Sequence, residues 1–227
     1  MQFSDKKVAV YTAIYGDKDE ITELLPQNIE ADYFLYTDDI RLKGKEVKGW
    51  KVIYSPVNEF KTPRMKAKTW KIKPSIGVLK DYDFTVWIDG HITFKRRDSL
   101  RYLLGKGKHF RAFKHPEFDC IFREFFNITN KHRWVNNMDR KLAIRQLNRY
   151  NKDGFPKHHG LVAGSVLIRD NSEEIKRFNE FWWLQIMGGS QRDQLSLPYS
   201  LYKMEIKPDI MKLNNRDNRY INYGNHK

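Results

Sequence analysis

Cysteine is almost absent from this 227-residue chain. Cys120 stands alone, so no intrachain disulfide can form, which agrees with a reducing compartment. Long apolar runs are missing as well. The longest stretches without Asp, Glu, Lys or Arg, residues 158–168 and 181–191, have 11 residues each. A membrane-spanning helix requires roughly 20, so no transmembrane segment is expected. The opening Met-Gln-Phe-Ser-Asp-Lys-Lys runs straight into a strand-like segment with no apolar leader, and no signal peptide is expected. The expected location is cytoplasmic, in solution or peripheral at a membrane. No G-x-x-x-x-G-K-[ST], no G-x-G-x-x-G and no zinc-type cysteine pair occurs. P-loop chemistry and Rossmann dinucleotide binding are thereby disfavoured. Acids are scarce too: 28 Asp and Glu stand against 42 Lys and Arg, a net charge of +14. Such a surplus suits a polyanionic partner, whether nucleic acid, a nucleotide diphosphate or an anionic membrane face; the plain alternative is a solvated basic surface.

What is present is an alternation of strand-like and helix-like segments. Residues 7–14, 32–37, 50–54, 83–88, 109–113 and 161–168 are rich in β-branched and aromatic residues, and 83–88 and 161–168 are almost continuously apolar. Continuous apolar runs of this length are expected of strands buried on both faces. Helices are expected over 63–73, which opens on a proline, and over 97–104, 117–127, 134–150 and 172–187. For the last of these, Asn171 and Glu174 have capping-box spacing. A further helix is expected from Ser190, with Asp193 as its third residue and Pro198 as a kink. The tail, 212–227, is polar and Asn-rich, expected to be a loop or to order only over a ligand. Without repeats or a low-complexity linker, 1–227 reads as one α/β domain with a mixed, mainly parallel central sheet flanked by helices. Ligands of such sheets gather beyond the carboxyl ends of the strands, which directs attention to Tyr15-Gly16-Asp17, Asp38-Asp39 and Asp89-Gly90-His91.

Asp89 ends an apolar strand, and His91 follows it across a glycine that permits a bend. Carboxylate and imidazole together suit Mn²⁺, or Mg²⁺ with the carboxylate alone, and His159 is a candidate distal ligand. An ordinary Asp-Gly turn is the alternative. Arg64, Lys68 and Lys71 recur at helical spacing, a face that can hold a diphosphate or simply be solvated. Arg192 and Asp193 fall in an expected first helical turn, where Asp193 could accept a proton from an attacking hydroxyl if its pKa is not pushed too low, or could merely complete a Ser190 cap.

Taken in order, "VYTAIYGDKDE", "YFLYTDD", "KIKP", "YDFTVWIDGHI", "HPEFDCIFREF", "GLVAGSVLIRDNS" and "RDQLSLPY" resemble a glycosyltransferase-like domain family formerly of unknown function. Its members occur in plant cell-wall and mucilage proteins, bacteria and large viruses, and the family resembles the GT-A superfamily of nucleotide-sugar transferases. The resemblance spans about residues 8–202, with "WIDG" and "RDQLS" its most specific pieces. It implies a GT-A-like (Rossmann-like) fold and a hexosyl- or deoxyhexosyltransferase, with host cytoplasm as the location for a viral member. The donor would be a UDP-, GDP- or dTDP-sugar and the acceptor a glycan or glycoconjugate. Thr12, Ala13 and Tyr15 would then line the base and ribose, Asp38 would lie near the base, and Lys71, with Arg64 and Arg192, would approach the diphosphate. Asp89 stands where the superfamily places the first acid of its D-x-D metal motif, and Asp193 near the anomeric carbon or acceptor hydroxyl. His91 departs from the pattern, since a second aspartate is the ordinary residue there; the alternatives are that it ligates or that cations stand in for metal charge. On this reading no nucleic acid is expected as a partner. The competing reading is a basic nucleic-acid-binding or metal-dependent nuclease domain, motivated by the net charge and the 14% aromatic content.

Overall fold

The structure, a computed structural model, describes residue 3 and residues 5–16, 19–131, 136–216 and 218–224. Asp17, the first two residues of the helix expected from 134, and the last three residues of the tail lie outside the described residues. The elements run in the order β1 (Val8–Ile14), β2 (Asp32–Thr37), β3 (Glu46–Val47), β4 (Trp50–Tyr54), α1 (Pro63–Ile72), β5 (Phe84–Ile88), β6 (Ile92–Phe94), α2 (Ser99–Leu104) and β7 (Phe110–Lys114). There follow α3 (Ile121–Asn130), α4 (Asn137–Lys152), β8 (Val162–Asp170), α5 (Glu173–Met187), α6 (Asp193–Lys203), β9 (Asp209–Met211) and β10 (Ile221–Tyr223).

Eight strands form one sheet in the order β3-β4-β2-β1-β5-β8-β7-β9. β4, β2, β1 and β5 run parallel, β8 is antiparallel to both β5 and β7, and β9 is parallel to β7. This is the mixed, mainly parallel sheet expected, of Rossmann-like, GT-A-like type. Side-chain alternation divides the central strands between two cores. Tyr11, Tyr15, Tyr36 and Trp87 face α1 and α5, where Trp70, Phe178 and Trp182 meet them. Val10, Leu35, Val86, Ile88 and Ile168 face the opposite layer with Leu100 and Leu103 of α2. Each large side chain so buried contributes about 1.5–3 kcal/mol. A third core joins α3, α4 and α6 through Ile121, Leu147, Tyr150 and Tyr199.

Three expectations are corrected. The cap of α5 is Ser172, whose side chain accepts from the Ile175 N–H; Asn171 instead donates to the carbonyls of Leu79, Lys80 and Tyr82, tying the loop before β5 to the end of β8. Helix α6 begins at Asp193, with Arg192 at its cap position. Ser190 therefore caps no helix; its hydroxyl donates to Asp139 at 2.9 Å and accepts from the Arg192 N–H. The tail is only partly a loop, because β10 pairs antiparallel with β6.

Candidate active site

Helix α1 supplies the cations. Thr62 caps it through the Met65 N–H, Pro63 opens it, and packing against β1 turns one face toward the carboxyl edge of the sheet. On that face Lys68 and Lys71 are buried and Arg64 is half-buried. Beneath them lies Arg169 of β8, fully buried, donating to the carbonyls of Lys71 and Ile72, to Asn179 and to the Tyr11 hydroxyl. Those carbonyls are the electronegative end of α1, so the guanidinium fixes the backbone that carries Lys71.

The acids come from elsewhere. Asp89 leaves the end of β5 on the same face as Trp87, and the Trp87 indole donates to its Oδ1 at 2.8 Å. Asp193 arrives at the N-terminus of α6. Lys71 Nζ lies 2.7 Å from Asp193 Oδ2 and 3.3 Å from Asp89 Oδ1, while Lys68 Nζ lies 3.0 Å from Asp193 Oδ1. Two backbone features make room for this. A side chain at Gly164 of β8 would meet Asp193 Oδ2 at 3.2 Å and Lys71 Nζ at 3.3 Å. The register between β7 and β8 also slips beside Gly164, passing from Ala112–Leu167 to Phe113–Ala163, an irregularity of the kind that re-aims chain near sites.

Burial works against all these charges, and the balance differs for each. It brings Lys68 down to about 8, against the pull of Asp193. For Lys71 the attraction of Asp193 and Asp89 outweighs burial, and its pKa is raised. For Asp193 the two ammonium groups outweigh burial, holding the carboxyl far below the usual range. A carboxylate so held stays ionised and is a poor proton acceptor. Burial and the neighbouring Arg64 lower Arg192.

A pocket of about 420 Å³ opens over this network. It brings together Ala13, Tyr15, Arg64, Lys68, Lys71, Asp89, His91, Arg192 and Asp193 of the residues expected from the sequence, and adds Asp19, Trp87 and Gln194. Asp38 lines an adjoining pocket of about 230 Å³ that shares Ile14 and Asp19 with the first. Its carboxylate accepts from the Gly16 N–H at 3.2 Å and from Lys66 at 2.9 Å. Tyr15 is fixed by the Trp70 indole and the Ser55 carbonyl, each at 2.8 Å. Thr12 is not in the lining: it is buried on the opposite face of β1 from Ala13 and Tyr15, a consequence of the two-residue strand period.

The three expected metal ligands do not all meet. His159 packs edge-on against Phe155 and Tyr202 and borders a separate apolar cavity. Tyr202 is nine residues along α6 from Asp193, about 14 Å of helix. His91 does line the pocket, but it is buried edge-on against Tyr223 of the tail. Among the described residues no three His, Cys, Asp or Glu side chains gather to hold a metal. Asp89 already accepts from an indole and an ammonium. A divalent ion at this Oδ1 would displace Lys71 and face its charge, while Asp89 Oδ2 has neither of these partners.

Asp19 and Gly164 escaped the sequence reading because loop and strand meet the pocket only in the folded chain. A side chain at Gly90 would begin 3.0 Å from Ile14 and 3.2 Å from Asp19 Oδ2, so the glycine of "WIDG" leaves room for that approach. Among the described residues no helix is long and apolar enough to cross a membrane. A comparison with curated proteins finds no match. The family model described as TOD1/MUCI70, glycosyltransferase-like domain, matches residues 1–222, and the chain belongs to that family.

Proposed function

We propose that this member of the TOD1/MUCI70 glycosyltransferase-like family moves a hexosyl or deoxyhexosyl group from a UDP-, GDP- or dTDP-sugar to a hydroxyl of a glycan or glycoconjugate. The observation that carries this reading is the cation cluster of the larger pocket. Arg64, Lys68, Lys71 and Arg192 line it against the carboxylates of Asp19, Asp89 and Asp193, at the carboxyl edge of a parallel sheet. Arg169 adds a further buried charge behind Lys71. A nucleotide diphosphate is the anion such a cleft suits, with its base toward the adjoining pocket at Asp38.

Transfer breaks the bond between the anomeric carbon and the diphosphate and forms one from that carbon to the acceptor oxygen, whose proton passes to the departing diphosphate. Negative charge grows on the leaving oxygens, and Lys68, Lys71, Arg64 and Arg192 stabilise it from fixed positions in a partly dehydrated cleft. Asp193, ionised and weakly basic, holds the two lysines in place and steadies positive charge developing on the sugar. On this arrangement the chain contributes charge rather than a proton acceptor, and no step is assigned to a metal ion.

Isothermal calorimetry with UDP, GDP and dTDP and their sugars, each with EDTA and with Mn²⁺, tests the reading. One nucleotide diphosphate is expected to bind, its sugar to be hydrolysed or transferred, and binding to persist in EDTA. Failure of every nucleotide to bind, alongside tight and salt-sensitive binding of duplex DNA, would replace this reading with the nucleic-acid one.

A further inference from the structure

We infer that the outward face of α4, with the last turn of α5, is a docking surface for an anionic lipid bilayer. The inward face of α4 carries Asp139, Ala143, Gln146, Leu147 and Tyr150. Asp139 is the helix's only acid; it is 3% exposed and accepts from Ser190 and the Gln191 N–H. The outward surface of α4 itself therefore carries cations and no acid, Asp153 following only at its C-terminal cap, with Lys141, Arg145 and Lys152 along one stripe. Exposed helices ordinarily mix charge signs, as α5 does with Glu173, Lys176, Arg177 and Glu180.

The second observation is apolar. Ile144 is 41% exposed within the stripe of α4. Gln185 of α5 accepts from Arg149 and, through its carbonyl, from Gln146, which sets the end of α5 against the middle of α4. That end presents Leu184 at 63% and Met187 at 50% exposure. Cations interleaved with exposed aliphatic side chains are what an anionic interface selects: the headgroups hold the charges while the aliphatic groups enter the acyl boundary. A nucleic-acid partner would account for the cations but not for Ile144, Leu184 and Met187.

The test is co-sedimentation with phosphatidylcholine vesicles, with and without phosphatidylserine. The chain is expected to pellet with the anionic vesicles only. Reversing charge with Lys141→Glu and Arg145→Glu is expected to lower vesicle affinity more than tenfold, since each basic residue contributes about fivefold. Ile144→Ser with Leu184→Ser is expected to lower it about tenfold. Should the glutamate pair unfold, Lys141→Gln with Arg145→Gln makes the same comparison at outward positions. Lys71→Met, in the donor pocket, is expected to pellet like the parent, which separates this inference from the proposed transfer reaction. Equal binding to neutral vesicles overturns it. So does a serine pair that keeps full vesicle affinity while charge reversal abolishes binding of duplex DNA, since the face would then be a nucleic-acid surface.

Discussion

Two strands of the parallel sheet end in an acid, and helix α1 answers each with a lysine, yet the two corners differ. At the end of β2, Asp38 meets Lys66 at 2.9 Å, and a backbone N–H fills its second oxygen. One carboxylate is matched to one ammonium, and both are partly open to water, with side chains 27% and 17% exposed. At the end of β5, Lys71 is 8% exposed and is divided between Asp89 and Asp193, while Lys68 shares Asp193. The first corner is a closed pair that suits the fixing of a loop. The second is a chain, Lys68–Asp193–Lys71–Asp89, in which Asp193 holds two cations, so an arriving anion can take over Lys68 without leaving Asp193 alone.

The comparison breaks most readily at Lys71. Lys71→Met leaves Asp89 and part of Asp193 without their cation. Removing one member of a buried ionic network costs about 3 kcal/mol, which lowers the thermal midpoint in calorimetry. If the leaving diphosphate depends on this ammonium, kcat/KM falls by about a thousandfold. Turnover within tenfold of the parent would show that the network serves stability alone.

Asp193→Asn sharpens the point by separating binding from transfer. It removes the anion that competes with a diphosphate for Lys68 and Lys71, so nucleotide affinity is expected to hold or rise by a few fold. Turnover is expected to fall about a hundredfold, because the lysines lose their anchor and the sugar its carboxylate. Were Asp193 a proton-accepting base, the pH profile of the remaining activity would lose its acid limb; the present reading expects the profile to keep its shape.

The same contrast explains what could be read before folding. All six expected strands form, and 32–37 and 50–54 match to the residue, because β-branched and aromatic runs bounded by polar residues are local signals. β3, β6, β9 and β10 have two or three residues each, too few for a period to register. Arg64 and Lys71 were legible from helical spacing, Asp89 as an acid following an apolar strand, and Asp193 from an expected first helical turn. Arg169 and Gly164 were not: both lie inside a continuous strand signal, and their roles arise from what α1 and α6 lay across β8. His159 was misplaced because proximity along the chain to β8 gave no hint that the preceding loop packs against Tyr202, at the other end of α6.

Acidity offers a gentler probe. Lys68, brought down to about 8 by burial, is charged at neutral pH and loses its proton just above it. An anion binds the protonated form and raises its pKa, so binding is coupled to proton uptake and weakens as pH rises through this value. The limit is about tenfold per pH unit above the midpoint. Calorimetric titration of the bound nucleotide from pH 7 to pH 10 is expected to show that decline, and Lys68→Arg to flatten it, because a guanidinium stays charged throughout. A flat profile in the parent would place Lys68 outside the anion site.

The smallest effect is expected at the closed pair. Lys66→Met removes the partner of Asp38, but that carboxylate keeps the Gly16 N–H and some contact with water. A pair of this exposure contributes about 1 kcal/mol or less. Lys66 also lies 5.8 Å from the centre of the Tyr15 ring, a cation–π contact of similar size. The midpoint of unfolding should therefore shift by only a few degrees and nucleotide affinity by a few fold, with the ratio of turnover to binding unchanged. If Lys66→Met instead reduced turnover as far as Lys71→Met does, the two corners would be one catalytic unit, and the distinction between a closed pair and a shared network would have no functional content.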